Sequence, residues 1–318
     1  ITKYSEWPNY LMWWFVPILF FEHFNQEMGR LLVALSEQIT ASTLLFVRQG
    51  SWALLVIFIM FFEPSRRTLE FPMMAWFISG VFAALFGIFK LKQMGISGWR
   101  NKLDWKWIKK GVVVSAAFLF ATLALRGMQT FDRYLLESIG SIEVVGAYVL
   151  FTGIAGSLLA FLDSGIFSFT YPMLIKLSQK GRWADARKKV KQMLWLTVMF
   201  SLIFTLVSLT AIPHLLEWIN KDIYTSVIDL YYWILLATVV NAIGLIPHYA
   251  LYADGRDKVI ILSHILALFV FLGAVFLLKS TSLALAVPQG LFIAFLFILI
   301  FKSIAYKKFS QSKIVAAV

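Results

Sequence analysis

Nine times along this chain the sequence runs for about twenty residues with almost no charge, and that repetition fixes what it can fold into. The runs fall at 8–35, 39–62, 71–90, 109–131, 142–170, 191–213, 226–252, 259–278 and 283–303. Each is long enough for a helix to cross the hydrocarbon of a bilayer. Most breaks carry charge or Pro/Gly punctuation, as at Glu63-Pro64-Ser65-Arg66-Arg67 and Asp254-Gly255-Arg256-Asp257-Lys258. The runs are continuous rather than alternating, so a β-barrel is excluded. The first run is the most polar: Glu22-His23-Phe24-Asn25-Gln26-Glu27 interrupts it. The expectation there is one long helix with a polar face, on which Glu27 and Arg30 pair at a spacing of three. The fold class is therefore all-α, a polytopic membrane helical bundle.

Composition agrees. Of 318 residues, 60% are apolar and 14% charged, where a soluble domain has about 45–50% and about 25%. The net charge of +12 reads as topology and lipid contact, not as nucleic-acid binding. There is no cysteine, so disulfides and thiolate chemistry are excluded. With the loops numbered alternately, 20 of the 29 Lys and Arg fall on one side, in 90–110, 176–191, 254–258 and 302–313. Six fall on the other side, and Arg30, Arg48 and Arg126 lie within runs. The positive-inside rule then places the C-terminus in the cytoplasm and the N-terminal end of the ninth-from-last helix outside. Two basic stretches read as amphipathic: Trp99, Arg100, Trp105, Lys106 and Trp107 in the first, and 176–191 around Trp183 in the second.

No enzyme motif is present. The four histidines, His23, His214, His248 and His264, are widely spaced and match no metal-ligand pattern. No phosphate-binding glycine loop and no nucleophile elbow occurs. What remains is ionisable groups inside apolar runs, where an arginine at a helix centre costs about 2.5–3.5 kcal/mol on insertion scales and so asks for a reason. Arg48 lies near mid-span. Arg126 lies near the outer end of its helix, and Arg133 follows seven residues on, on nearly the same face. Asp163 sits among Leu159, Ala160, Phe161 and Leu162, and is either a cation or proton site or the partner of an arginine. His264 lies about five residues into its run. Arginine forks recognise phosphate bidentately, so a basic interior without enzyme motifs suggests passage of an anionic substrate.

At Asp132-Arg133-Tyr134-Leu135-Leu136, Ile139-Gly140 and Glu143-Val144-Val145-Gly146-Ala147-Tyr148, the sequence resembles the junction of the seventh and eighth helices of Wzx-type polysaccharide flippases. These belong to the MOP superfamily with MATE drug exporters and MurJ lipid II flippases. Tyr171-Pro172-Met173-Leu174-Ile175-Lys176-Leu177-Ser178 with Gly181-Arg182-Trp183, and 25–35, are similar to further parts of that family. The resemblance implies a two-lobed bundle of twelve helices, of which the nine here are helices four to twelve, the first three being missing. It implies 1–90 as the remainder of an N-terminal lobe, 91–108 as a basic cytoplasmic linker, and 109–318 as a six-helix C-terminal lobe with its tail.

The implied activity is flipping of an undecaprenyl-diphosphate-linked oligosaccharide across the cytoplasmic (inner) membrane, by rocking one lobe against the other. Arg30, Arg48, Arg126 and Arg133 would bind the anionic substrate, and Asp163 and Glu27 would couple a proton or sodium ion. The partners implied are the lipid-linked oligosaccharide, membrane lipids, and the polysaccharide polymerase and glycosyltransferases of the same pathway. No cofactor is implied. A MATE-like drug or metabolite exporter, an intramembrane glycan polymerase or ligase, and a membrane scaffold stand as alternatives.

Overall fold

The computed structural model describes residues 11–96, 102–139, 141–280 and 284–315, and among them there is helix and no strand. The helices are α1 (Leu11–Ala34), α2 (Gln38–Leu45), α3 (Ser51–Phe62), α4 (Glu70–Gln93), α5 (Trp105–Ile139), α6 (Ile142–Leu162), α7 (Ser168–Gln179), α8 (Trp183–Ile219), α9 (Asp222–Ser226), α10 (Ile228–Ala253), α11 (Asp257–Leu278) and α12 (Ala286–Val315). Two π turns join helices without interrupting them: Phe46–Gly50 between α2 and α3, and Asp163–Phe167 between α6 and α7. Among the described residues seven runs are long and apolar enough to cross a membrane: 38–62, 70–93, 142–179, 183–219, 228–253, 257–278 and 286–310. The protein is a multi-pass membrane protein.

The nine expected spans correspond to these seven plus α5 and α1. α5 passes the same test as two segments bent by 42°. α1 is a single helix of 24 residues through Pro17, as its length predicts, but Glu22, Asn25, Gln26, Glu27 and Arg30 make it too polar to qualify on composition. Helix ends lie further out than the apolar runs. α5 starts at Trp105 rather than 109 because the Asp104 carboxylate accepts from the backbone N–H of Lys106 and Trp107, both at 3.0 Å, an N-cap that satisfies two orphan donors. The stretch 176–191, expected as a separate basic helix, is split: its first part ends α7 and its second opens the 37-residue α8. At 1.5 Å per residue α8 is about 55 Å long, so its basic first turns extend beyond the roughly 30 Å of hydrocarbon. Of the first amphipathic stretch, Trp99 and Arg100 lie outside the described residues. Trp105 and Trp107 stand exposed at the start of α5.

The chain divides into two compact units, Ile1–Leu103 and Asp104–Val318. In the first, α1 packs on α4 and α2 around Met28, Leu32, Leu44, Ala83 and Leu91. The outer face of α3 carries Leu54, Ile57, Phe58 and Phe61, each more than half exposed, which is the surface a lipid-facing helix presents. In the second unit α12 packs on α10 and α11, and α6 on α10. Tyr148, Phe151, Tyr231 and Phe271 are fully buried there. Asp132, 3% exposed, accepts the Tyr148 hydroxyl at 2.7 Å and the Arg133 N–H at 2.7 Å, tying α5 to α6. One expectation is corrected: Lys302, assigned to a cytoplasmic loop, is 2% exposed inside α12. The apolar run ends at Phe301, but the helix continues past it and the lysine faces its neighbours, not water.

Candidate functional site

In the N-terminal unit the π turn carries the most consequential side chain. A π turn inserts one extra residue into the helix and loosens the regular backbone ladder. Here Arg48 occupies it and is turned inward, 7% exposed. Two hydroxyls take up the loosened carbonyls. Ser51 Oγ donates to Val47 O at 2.6 Å, Ser79 of α4 also donates to Val47 O, and Ser79 Oγ reaches Arg48 O at 3.4 Å. The turn is thus held from α4 as well as by its own helix.

The charge of Arg48 is met by Glu22 of α1, with Nε 3.5 Å from Oε2. Both side chains are largely buried, at 9% and 22% exposure. The second carboxylate oxygen of Glu22 accepts from Trp76 Nε1 at 2.8 Å. Trp76 stacks on Trp52, with ring centroids 5.2 Å apart and planes 13° apart. Three residues past Glu22, and so on the same face of α1, Asn25 is fully buried and donates to Gly80 O at 2.8 Å.

The hydrogen-bond accounting is incomplete in an informative way. Arg48 Nε lies within ion-pair range of Glu22 but makes no aligned hydrogen bond, and Asn25 Oδ1 and Trp52 Nε1 are buried with no partner at all. Buried polar groups are nearly always paired, because an unmade bond costs about 1–3 kcal/mol. These three residues and the ion pair they surround make up the candidate site, which is largely closed off from the surface. Its chemistry is a guanidinium, a carboxylate, two indole faces and an amide.

The other expected site residues are placed differently. Arg30 and Glu27 form the pair that their spacing predicts, at 2.5 Å, but both are exposed. Glu27 sits about 7.5 Å and Arg30 about 12 Å along α1 from Glu22 by helical rise. Arg126 is exposed and donates to Gln129 at 3.3 Å. Arg133 is exposed too, while its neighbour Asp132 is the buried member of that junction. Asp163 opens the second π turn, and its side chain is exposed rather than buried. Of the six named residues only Arg48 stands in a buried constellation. Glu22, Asn25, Trp52 and Trp76, which complete it, were not singled out. Among the described residues no group of three His, Cys, Asp or Glu is arranged to hold a metal ion.

No family model and no curated protein matches the sequence. Solved structures do. The chain superposes with a TM-score of 0.76 on a mutant of the Vibrio cholerae MATE transporter VcmN, at 15% identity, over 96% of this chain and 72% of that one. The fold is that of the MATE transporters. The bent form of VcmN gives a TM-score of 0.64 at 16% identity, over 96% of this chain and 70% of that one. A further MATE in a bent conformation gives 0.71 at 13%, over 95% and 68%. MATE transporters are part of the MOP superfamily and have its two-lobed architecture.

Proposed function

We propose that this protein is a membrane transporter that moves an anionic, lipid-linked oligosaccharide across the cytoplasmic membrane. The observation that carries the reading is Arg48, a guanidinium held inside an apolar unit on a π turn, whose Nε is ion-paired with Glu22 without an aligned hydrogen bond. Desolvating that charge is costly, and a phosphate or uronate oxygen would satisfy it with charge-assisted hydrogen bonds. The stacked Trp52 and Trp76 supply flat apolar faces of the kind that pack against sugar rings. The MATE fold supports transport by alternating access rather than catalysis, and MATE transporters are not enzymes. Arg30, Arg126 and Arg133, exposed on their helices, would meet the substrate earlier or later in its passage, and Glu27 and Asp163 would take part in ion coupling. The polysaccharide polymerase and glycosyltransferases of the same pathway would be its neighbours in the membrane, with the C-terminus in the cytoplasm.

A second reading, export of drugs or metabolites, is favoured by one observation: the structural neighbours are themselves MATE transporters. The two separate on substrate. In a strain lacking the gene, the flippase reading predicts that lipid-linked oligosaccharide accumulates on the cytoplasmic leaflet and that drug sensitivity is unchanged. Normal surface glycan together with heightened drug sensitivity would decide for the exporter.

A further inference from the structure

The C-terminal unit contains a second buried cation, and its surroundings are unlike those of Arg48. Lys302 of α12 places Nζ 3.1 Å from Nδ1 of His248 on α10 and 2.9 Å from Nε2 of His264 on α11. The two imidazoles lie parallel, with centroids 5.8 Å apart and planes 9° apart, and the ammonium nitrogen bonds to both. Lys302 is 2% exposed and His264 8%. The further groups that touch the imidazoles are neutral. Tyr249 of α10 stands edge-on to His248, at 5.6 Å between ring centres. α5 contributes the backbone of Ala121, hydrogen-bonded to His264. Tyr306 lies one turn along α12. Among the described residues Lys302 forms no ion pair with a carboxylate.

We propose that Lys302, His248 and His264 form a site that binds and releases one proton within the C-terminal unit. The stoichiometry follows from the geometry. As an ammonium, Nζ donates to both ring nitrogens, which requires both histidines to be neutral. His264 then carries its proton on Nδ1, directed at the backbone of α5, and His248 carries its own on Nε2. The same charge can instead reside on one imidazole, whose N–H donates to a neutral Nζ. Either way the three bases hold a single excess proton. A second would set two cations about 3 Å apart in a medium that screens them poorly. Loss of that proton leaves a neutral, still hydrogen-bonded trio. With no carboxylate to hold the charge in place, the site has two states that differ by one proton, each compatible with the same packing. A sodium ion would be repelled by the ammonium, and a polyatomic anion cannot reach a nitrogen so closely packed, so the species exchanged is H⁺.

What the proton is for rests on the transporter reading: its uptake and release would drive the conformational cycle, the part assigned from sequence to Asp163 and Glu27. The site itself does not depend on that reading. The test uses the full-length protein, labelled with ¹⁵N-histidine, in lipid nanodiscs. Ring-nitrogen shifts are followed between about pH 5 and 9, the range in which imidazoles titrate, and His264→Gln serves for assignment and as a folding control. The expected result is one shared protonation step seen by both rings, which Lys302→Met splits into separate steps or moves by more than a pH unit. Rings that stay unchanged across that range, or a titration indifferent to Lys302→Met, would overturn the site. Coupling is read separately in proteoliposomes, by the stimulation of oligosaccharide flipping on imposing a pH gradient. Stimulation in the wild type that falls at least tenfold in Lys302→Met supports the coupling role. Wild-type flipping indifferent to the gradient refutes it, and no flipping at all refutes the flippase reading while the nitrogen titration still decides the site.

Discussion

Among the described residues Arg48 and Lys302 are buried cations, one in each unit, and they are stabilised in opposite ways. Arg48 has a carboxylate partner and belongs to a side chain that cannot lose its proton in a protein. Lys302 has two imidazoles and belongs to one that can. The first arrangement gives a permanent charge with incomplete hydrogen bonding. The second gives two hydrogen bonds to a charge that can leave. A fixed guanidinium suits the binding of an anion, and a removable proton suits the storing and releasing of energy. The difference teaches that burial of charge in a membrane helix is not one signal. The partners decide whether the charge is fixed or can leave.

Substitutions break or sharpen this contrast. The largest effect is expected at Arg48. Arg48→Ala leaves the Glu22 carboxylate with only the Trp76 N–H, and removing one partner of a buried pair costs about 3–5 kcal/mol. The residual 22% exposure of Glu22 places this case toward the lower end. Thermal unfolding in detergent should show it, and the double variant Arg48→Met with Glu22→Gln should recover a good part of the loss. If the double variant is no more stable than the single one, Glu22 is not the partner that matters.

Next come two glycines where helices touch. A Cβ at Gly290 would lie 2.6 Å from Val275 Cγ2 and 3.4 Å from the Phe271 ring, and one at Gly87 would lie 2.6 Å from Met28 Cγ. Overpacking costs about 1–3 kcal/mol. Valine is stiff at χ1 whereas methionine rearranges readily, so Gly290→Ala should destabilise more than Gly87→Ala. Equal losses would mean that side-chain stiffness does not set the cost. A similar but slightly smaller loss, about 1–2 kcal/mol, is expected for Asp132→Ala, which leaves the buried Tyr148 hydroxyl without its acceptor. The smallest effect is expected for Arg30→Ala. Its ion pair with Glu27 is exposed on both sides, and such pairs contribute about 0–1 kcal/mol. An unfolding midpoint indistinguishable from the wild type is the outcome predicted.

Much of the fold was legible in advance because membrane crossing imposes a local rule: about twenty apolar residues in a row. The rule placed every long helix and missed mainly ends, where caps such as Asp104 and helix continuation past the hydrocarbon decide. The sites were less legible because they are made by long-range contacts. Arg48 announced itself by its depth in an apolar run. Its partner Glu22 lies 26 positions upstream on another helix, while spacing along α1 drew attention to the local pair Glu27–Arg30. His248 and His264 are 16 apart and match no motif, and Lys302, at the end of its apolar run, looked like a loop charge. Only the packing of α10, α11 and α12 brings them together. One cue was available: Glu22 and Asn25 are polar residues three apart near the middle of α1, the mark of a helix face with something polar to meet.

The account stands most directly on Arg48 as a substrate-binding guanidinium. The decisive measurement is the leaflet distribution of undecaprenyl-diphosphate-linked oligosaccharide in a deletion strain expressing the full-length protein as wild type, Arg48→Lys or Arg48→Ala, at matched membrane levels. The account predicts outward transfer by the wild type, at least a tenfold loss in Arg48→Ala, and partial retention in Arg48→Lys, which keeps the charge but not the fork. Full outward transfer by Arg48→Ala would contradict it.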